Sequence, residues 1–349
     1  MPDEEPVFAP WHDYAESIES VVIKDGITGI GHFAFFDCVN LTSVSIPESV
    51  TFIGCAFIGC DSLQELYIPS SVTDFRYPTN EGICTGLTKI TVAEENSVYS
   101  SDAYGMLYNK DKTTFIGAPT GYQGTYAIAD SVTEIGGWAF TNCTGLTAVQ
   151  LPAGLKTVGM SAFLGCTGLT ELNIPDGVAT LDATAFTECS GLTGITIPAG
   201  VTSLGQQAFA NCTALEEVRF EGNAPDIDYE CFYGTTITAY YPAEDETWPD
   251  VIAQRYAGTI EWVVYGEHVH ELDENQRCEC GAIGGICGEN LTWILDPEGT
   301  MTISGTGDMT DYTDTNRPWY DYLSSITSVV IEDGVTALIT WLIIHCSRN

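Results

Sequence analysis

Apolar and polar positions along this chain recur with a long period, not with the 3.6-residue step of a helix or the two-residue step of an isolated strand. From Val132 the chain reads VTEIGGWAFTNCTGLTAVQLP, and from Leu155 LKTVGMSAFLGCTGLTELNIP. From Val178 it reads VATLDATAFTECSGLTGITIP, and from Val201 VTSLGQQAFANCTALEEVRF. Phe140, Phe163, Phe186 and Phe209 are each 23 residues apart, as are Cys143, Cys166, Cys189 and Cys212. Ala34-Phe35 to Cys38 and Ala56-Phe57 to Cys60 mark two earlier copies, and Cys84-Thr85-Gly86-Leu87 a degenerate one. A fixed period in the twenties with repeated apolar positions predicts a solenoid of stacked coils. One coil cannot bury its own Leu, Ile and Phe, whereas stacked coils place like residues over like in a continuous core.

Each period predicts one short strand at Leu-x-x-Val/Leu/Ile-x-Ile-Pro, ended by a Pro that cannot donate to a ladder. Stacked, these strands make a parallel sheet on one face. The Ala-Phe segment is expected to form the opposite wall, irregular or short-helical. The fold class is therefore an α/β repeat solenoid, with the repeats over 18–240, a truncated lead-in at 1–17 and a cap at 241–265. Within the cap, 248–256 reads as a short helix and 259–265 as a closing strand.

Residues 88–131 break the period and read as a β-hairpin insert, with strands at Met106-Leu-Tyr and Thr114-Phe-Ile around the polar turn Asn109-Lys-Asp-Lys. Tyr99, Tyr104, Tyr108, Tyr122 and Tyr126 dot this insert, and packing on the solenoid is their expected use. Composition changes sharply at 266–286, which reads as a linker. Residues 287–349 read as the start of a second, truncated β/repeat module, with two strands joined by Asp296-Pro-Glu-Gly299. There Trp319-Tyr-Asp-Tyr and Ile326-Thr-Ser-Val-Val-Ile repeat Trp11-His-Asp-Tyr and Ile18-Glu-Ser-Val-Val-Ile. The tail from Thr340 abandons the repeat, and its apolar residues are expected to be poorly ordered or paired with another chain.

Charge narrows the partners. The 48 acidic and 11 basic residues give a formal net charge of −37, which repels nucleic-acid phosphates and anionic lipid. Neither a run of eighteen apolar residues nor the basic and apolar regions of a signal peptide is present, so the chain is expected to be intracellular or part of a longer precursor; the repeats favour the precursor. Most of the 13 cysteines recur at one position of the repeat and are expected to pack as a ladder of small hydrophobes. His268, His270, Cys278 and Cys280 have ligand chemistry, but Cys-x-Cys is not the usual zinc-knuckle spacing, so no metal and no cofactor is assigned. The Asn-x-Thr triplets at Asn40, Asn142, Asn211 and Asn290 are treated as incidental. All five histidines lie outside the central repeats, and no nucleophile elbow, His-Glu-x-x-His helix or phosphate loop occurs. The chain reads as non-enzymatic.

The pattern Val-Thr-x-Ile-Gly-x-x-Ala-Phe-x-x-Cys-x-x-Leu-x-x-Val-x-Ile-Pro resembles that of BspA-like leucine-rich-repeat proteins. The resemblance covers most of 18–240. It implies a right-handed leucine-rich-repeat solenoid, a secreted or cell-surface location, and adhesion to host extracellular or bacterial surface proteins or glycans. A passive spacer between other domains is the alternative. Alternation along each strand points the residues between core positions outward. Coil by coil these are Ser43 and Ser45, Glu65 and Tyr67, Lys89 and Thr91, Ala148 and Gln150, Glu171 and Asn173, Gly194 and Thr196, then Glu217 and Arg219. Tyr67, Lys89, Gln150, Glu171, Asn173, Glu217 and Arg219 are the candidate ligand contacts. Tyr67, Gln150, Asn173 and Arg219 are the best suited to anchoring, being large or able to make several hydrogen bonds.

Overall fold

The 23-residue period becomes a column of rings. Phe115, Phe140, Phe163, Phe186, Phe209 and Phe232 stack with centroids 4.5, 4.9, 5.2, 5.3 and 5.7 Å apart and planes no more than 10° from parallel. A shorter column, Trp11–Phe35–Phe57, runs through the first coils at 5.9 and 5.6 Å. The computed structural model describes residues 9–77, 84–243, 247–254, 256–265, 276–277, 283–287, 290–297, 299–310, 318–332 and 334–337. The chain divides into two units, Met1–Gly266 and Glu267–Asn349.

The first unit is a β-solenoid of about ten turns with almost no helix. Its front ladder is parallel and in register, apart from one shift between Gly124 and Thr125. Ser20–Val22 pairs with Ser43–Ser45, and Glu65–Ile68 with Lys89–Val92. Starting from the tail of the insert, Gly124–Ala127, Leu146–Gln150 and Glu171–Leu172 form one run, and Gly194–Ile197, Glu217–Phe220, Thr236–Pro242 and Thr259–Tyr265 another. A second ladder, absent from the sequence expectation, is built of two-residue strands at the Val-Thr-x-Ile segment, such as Glu134–Ile135, Thr157–Val158, Thr180–Leu181 and Ser203–Leu204. Two residues per coil are too few to read as a strand by alternation. Their Thr hydroxyls nevertheless bond the coil before, as Thr202 Oγ1 does to the Ala179 carbonyl at 3.2 Å.

The third wall carries the Ala-Phe segments and is made of turns, not helices. Trp138 and Asn142 take φ of 58° and 55°, and Thr184 and Glu188 take 56° and 61°. A left-handed residue every four positions interrupts any α-helix. The wall is tied instead from coil to coil, with Phe140 N–H donating to the Ala162 carbonyl at 2.7 Å and Phe163 N–H to that of Ala185 at 2.8 Å. The helical part of the expected α/β character thus reduces, among the described residues, to one five-residue α-helix, Trp248–Ile252, and short 3-10 turns.

The cysteine ladder takes its expected form. Cys166, Cys189 and Cys212 are buried free thiols that donate to the carbonyls of Phe140, Phe163 and Phe186 in the preceding coil, at 2.9, 3.1 and 3.0 Å. Each thiol therefore links its own coil to the phenylalanine of its neighbour.

The insert is a divider more than an appendage. Its strands Tyr99–Ser101, Leu107–Asn109 and Thr114–Gly117 are antiparallel and feed the second ladder through Thr114–Phe115. Met106 and Tyr108 pack into the core that runs on to Tyr256, while Leu107, between them, packs into the core that begins at Ala15. Asp102 holds the turn by accepting the N–H groups of Tyr104 and Met106 at 3.0 and 2.9 Å. Gly105 sits in that turn at φ 80°, where a Cβ would lie 2.7 Å from Cα of Lys89. Tyr108 and Tyr126 are buried and Tyr99 and Tyr122 half-buried, whereas Tyr104 stays 62% exposed.

In the second unit Ile283–Ile286, Leu291–Leu295 and Thr300–Gly305 form an antiparallel sheet, whose last strand pairs in parallel with Ser328–Ile331. The expected two strands are present. A third, Ile283–Ile286, occupies what composition assigned to the linker. Cys287, Leu291, Trp293, Leu295, Met301, Ile303 and Trp319 form its core. The tail from Thr340 lies outside the described residues.

Phe163→Ala removes a ring from the middle of the column and should cost about 3–5 kcal/mol, measured as the loss of free energy in urea unfolding. The thiols give a second expectation. Burial pushes Cys143 and Cys212 from the ordinary 9.0 up to about 12. Folded thiols then keep protons that unfolded ones have lost, so their contribution is intact below about pH 9 and falls as pH rises towards 12. The urea midpoint should drop above pH 9 relative to neutral pH, and drop less in a Cys143→Ala, Cys212→Ala variant.

Candidate ligand-binding groove

In-register stacking turns the outward positions of the front ladder into rows. Ala148 lies beside Glu171, Gly194 beside Glu217, and Thr196 beside Arg219. Adjacent strands are about 4.8 Å apart, so each row is closely spaced. Along the first row, short and long side chains alternate as Ala148, Glu171, Gly194 and Glu217. Where Gly194 has no side chain, a groove of about 800 Å³ opens across the sheet. Thr125, Gln150, Glu171, Asn173, Glu217 and Arg219 are among the residues that line it, with Thr193, Gly194 and Thr196 between the long side chains. The ladder lapses in the same place, since Glu171–Leu172 and Gly194–Ile197 belong to separate sheets.

Five of the seven sequence candidates therefore meet in one groove: Gln150, Glu171, Asn173, Glu217 and Arg219. Tyr67 and Lys89 do not line it. They lie on a separate pair of strands, Glu65–Ile68 and Lys89–Val92, before the antiparallel strands of the insert, where Tyr67 neighbours Thr91 and Lys89 neighbours Glu65. Tyr67 is 48% exposed there.

Arg219 is the best-defined side chain of the groove. Its guanidinium lies over the ring of Tyr265, 3.7 Å from the centroid, and the Tyr265 hydroxyl donates to the Phe220 carbonyl. Ring and hydrogen bond together fix a long cation that would otherwise sample many rotamers; at a partly exposed site the cation–π contact is worth about 0.5–1 kcal/mol. Behind it, Phe220, Trp248 and Trp262 close the end of the core, with Phe220 4.9 Å from Trp248 and 6.0 Å from Trp262. With Glu171, Glu216 and Glu217 against one guanidinium, the groove keeps an acidic balance while offering amide and hydroxyl groups. It suits ligands that bring hydrogen-bond donors or positive charge.

Sequence reasoning missed Thr125, Glu216 and Tyr265. Thr125 belongs to the tail of the insert, which carries no repeat consensus, yet Gly124–Ala127 rejoins the ladder beside Leu146–Gln150. Tyr265 sits in the closing strand, two residues beyond Val263, the partner of Tyr240 in the row of Arg219. Only the register places it under the guanidinium. The possible metal ligands His268, His270, Cys278 and Cys280 lie outside the described residues. His32 Nδ1 accepts the backbone N–H of Cys55 at 3.3 Å, a structural bond within the first coils.

Stacked coils of this period, with a leucine strand on one wall and a phenylalanine turn on another, define a leucine-rich-repeat solenoid. The chain belongs to the BspA-type leucine-rich-repeat family, whose model matches six copies over residues 12–117 and 122–238. No curated protein sequence matches it. Among solved structures, the pneumococcal vaccine antigen PcpA is similar in fold, with a TM-score of 0.57 at 20% identity, over 71% of this chain and 68% of that one. A leucine-rich cell surface protein of Faecalibacterium prausnitzii is 25% identical with a TM-score of 0.52, over 72% of this chain. This chain spans 61% of the length of that protein.

Gly194→Gln tests the groove without threatening the fold. A Cβ there would meet the Glu217 carbonyl oxygen at 3.6 Å and Cβ of Glu217 at 3.9 Å, both ordinary contacts. The variant should unfold within about 0.5 kcal/mol of the parent in urea, while its longer side chain fills the groove floor.

Proposed function

We propose that this chain is a non-enzymatic binding module that uses the front groove to hold extracellular protein or glycan ligands at a bacterial cell surface. The observation that carries this reading is the convergence of Gln150, Glu171, Asn173, Glu217 and Arg219 around Gly194. Solenoids present extended, rigid surfaces, so side chains on successive coils can contact a ligand without an ordering cost. The acidic balance favours neutral glycans, which bring hydroxyl donors, or proteins that bring lysine and arginine. The net charge of −37 disfavours nucleic acid and anionic membranes. No helix among the described residues is long and apolar enough to cross a membrane. The F. prausnitzii relative, described as a cell surface protein, supports the location. A right-handed winding is part of the same reading, since parallel crossover connections are overwhelmingly right-handed. Tyr67 and Lys89, on the strand pair that precedes the antiparallel strands of the insert, are proposed as a secondary contact patch.

The test is binding of the purified chain to an array of extracellular-matrix proteins, mucins and glycans. A parallel variant carries Gln150→Ala, Asn173→Ala and Arg219→Ala. Saturable binding weakened about tenfold or more in the variant, with its unfolding midpoint unchanged, is the expected result. Binding that persists undiminished would move the site off the groove, with Tyr67 and Tyr104 the next positions to alter. Failure to bind any ligand would replace the proposal with a passive spacer.

A further inference from the structure

The chain contains one surface twice, once covered by a hairpin and once, among the described residues, without one. Of the twenty positions from 10 to 29, thirteen are identical to those from 318 to 337, including the run Ser-Val-Val-Ile at 20–23 and 328–331. The two copies fold alike, each inside its own unit. A 3-10 turn follows the tryptophan, His12–Ser17 in one and Tyr320–Tyr322 in the other, and a parallel strand follows that.

In the second copy a β-hairpin lies against this segment. Thr300–Gly305 pairs with Ser328–Ile331 in the register Thr300 to Ser328 through Ile303 to Ile331. Gly307–Asp308 continues onto Val335–Ala337. Met301 and Ile303 turn inward, and Trp293 meets Trp319 at 5.8 Å, leaving Trp319 fully buried.

Among the described residues the first copy has no such hairpin. Ser20–Val22 pairs with Ser43–Ser45 along one edge, and among the described residues no strand pairs with its other edge. Trp11 ends the Phe35–Phe57 column with 43% of its surface exposed, against 0% for Trp319. Val22 is 61% exposed against 46% for its counterpart Val330, and Ile27 is 49% exposed. Val22 and Ile27, with Ile18, Val21 and Ile23, line an apolar groove of about 710 Å³. A free strand edge beside an apolar surface is a template for strand addition.

We propose that this end face is a docking surface for a β-hairpin cap of the kind formed by 283–308. Its inner strand adds in parallel to Ser20–Ile23 in the register seen in the second unit, with Met301 and Ile303 equivalents over the core and a Trp293 equivalent against Trp11. The covered copy supplies the occupant, its register and its chemistry. Because it is independent of the front groove, this inference stands or falls apart from the binding reading.

The test grafts a second copy of 276–317 in place of residues 1–9 of the full chain, so that the hairpin precedes Pro10 as it precedes Pro318. Amide hydrogen exchange is followed at Ser20–Ile23 in the graft, in the ungrafted chain, and in a graft whose added hairpin carries Ile303→Asp, a change at a side chain buried against the core in the second unit. Exchange about tenfold slower in the graft than in the ungrafted chain, and restored by Ile303→Asp in the added hairpin, is the expected result. Equal exchange in grafted and ungrafted chains would overturn the proposal. Protection that grows with concentration in the ungrafted chain would overturn it in favour of a second copy as the occupant.

Discussion

Everything in the first unit depends on contact between equivalent residues of successive coils. A single coil has a strand of two to seven residues, a two-residue bridge and a run of turns, none of which is stable alone. Stacking supplies what the coil lacks. The phenylalanine column buries large apolar area at each step, and offset-stacked rings add about 0.5–1.5 kcal/mol per pair beyond that burial. The cysteine at the next corner bonds the carbonyl of the phenylalanine in the coil before, so the side-chain column and the backbone of the turn wall are one structure. A ring displaced in one coil would disturb the thiol of the next.

The same constraint makes the front face usable. Core residues must lie over core residues, so the register is fixed, and fixed register forces the outward residues into straight rows. A single change in a row is then a change in shape. Gly194 leaves a gap in a row that otherwise holds Ala148, Glu171 and Glu217, and Arg219 gains its position from Tyr265 two strands away. Specificity in such a surface resides in a few outward positions that the core does not constrain.

Much of this was legible from residue spacing. Phe140 to Phe209 and Cys143 to Cys212 gave the coil length, the column and the ladder, and alternation placed Gln150, Asn173 and Arg219 outward. Features that depend on three-dimensional register were not legible. Phe115 heads the long column, yet it lies in an insert with no repeat consensus. Leu107 faces one core while Met106 and Tyr108 face the other, an arrangement that alternation allows but cannot locate. The second ladder has strands too short to show a period, and the turn wall depends on positive φ at residues as varied as Trp138, Ser161 and Gln207. Tyr67 and Lys89 looked equivalent to the other candidates because spacing located the insert at 88–131 but did not show that it parts their strand pair from the rest of the front ladder.

The central claim is that ligand is held on the groove of the front sheet, and oxidative footprinting of the chain bound to its captured ligand tests it most directly. The account predicts that modification falls on binding at the peptides containing Gln150, Glu171–Asn173 and Glu217–Arg219, and stays unchanged at Tyr104 and along the turn wall. Protection confined to Tyr104 or to the turn wall, with the groove as reactive as in the free chain, would contradict it.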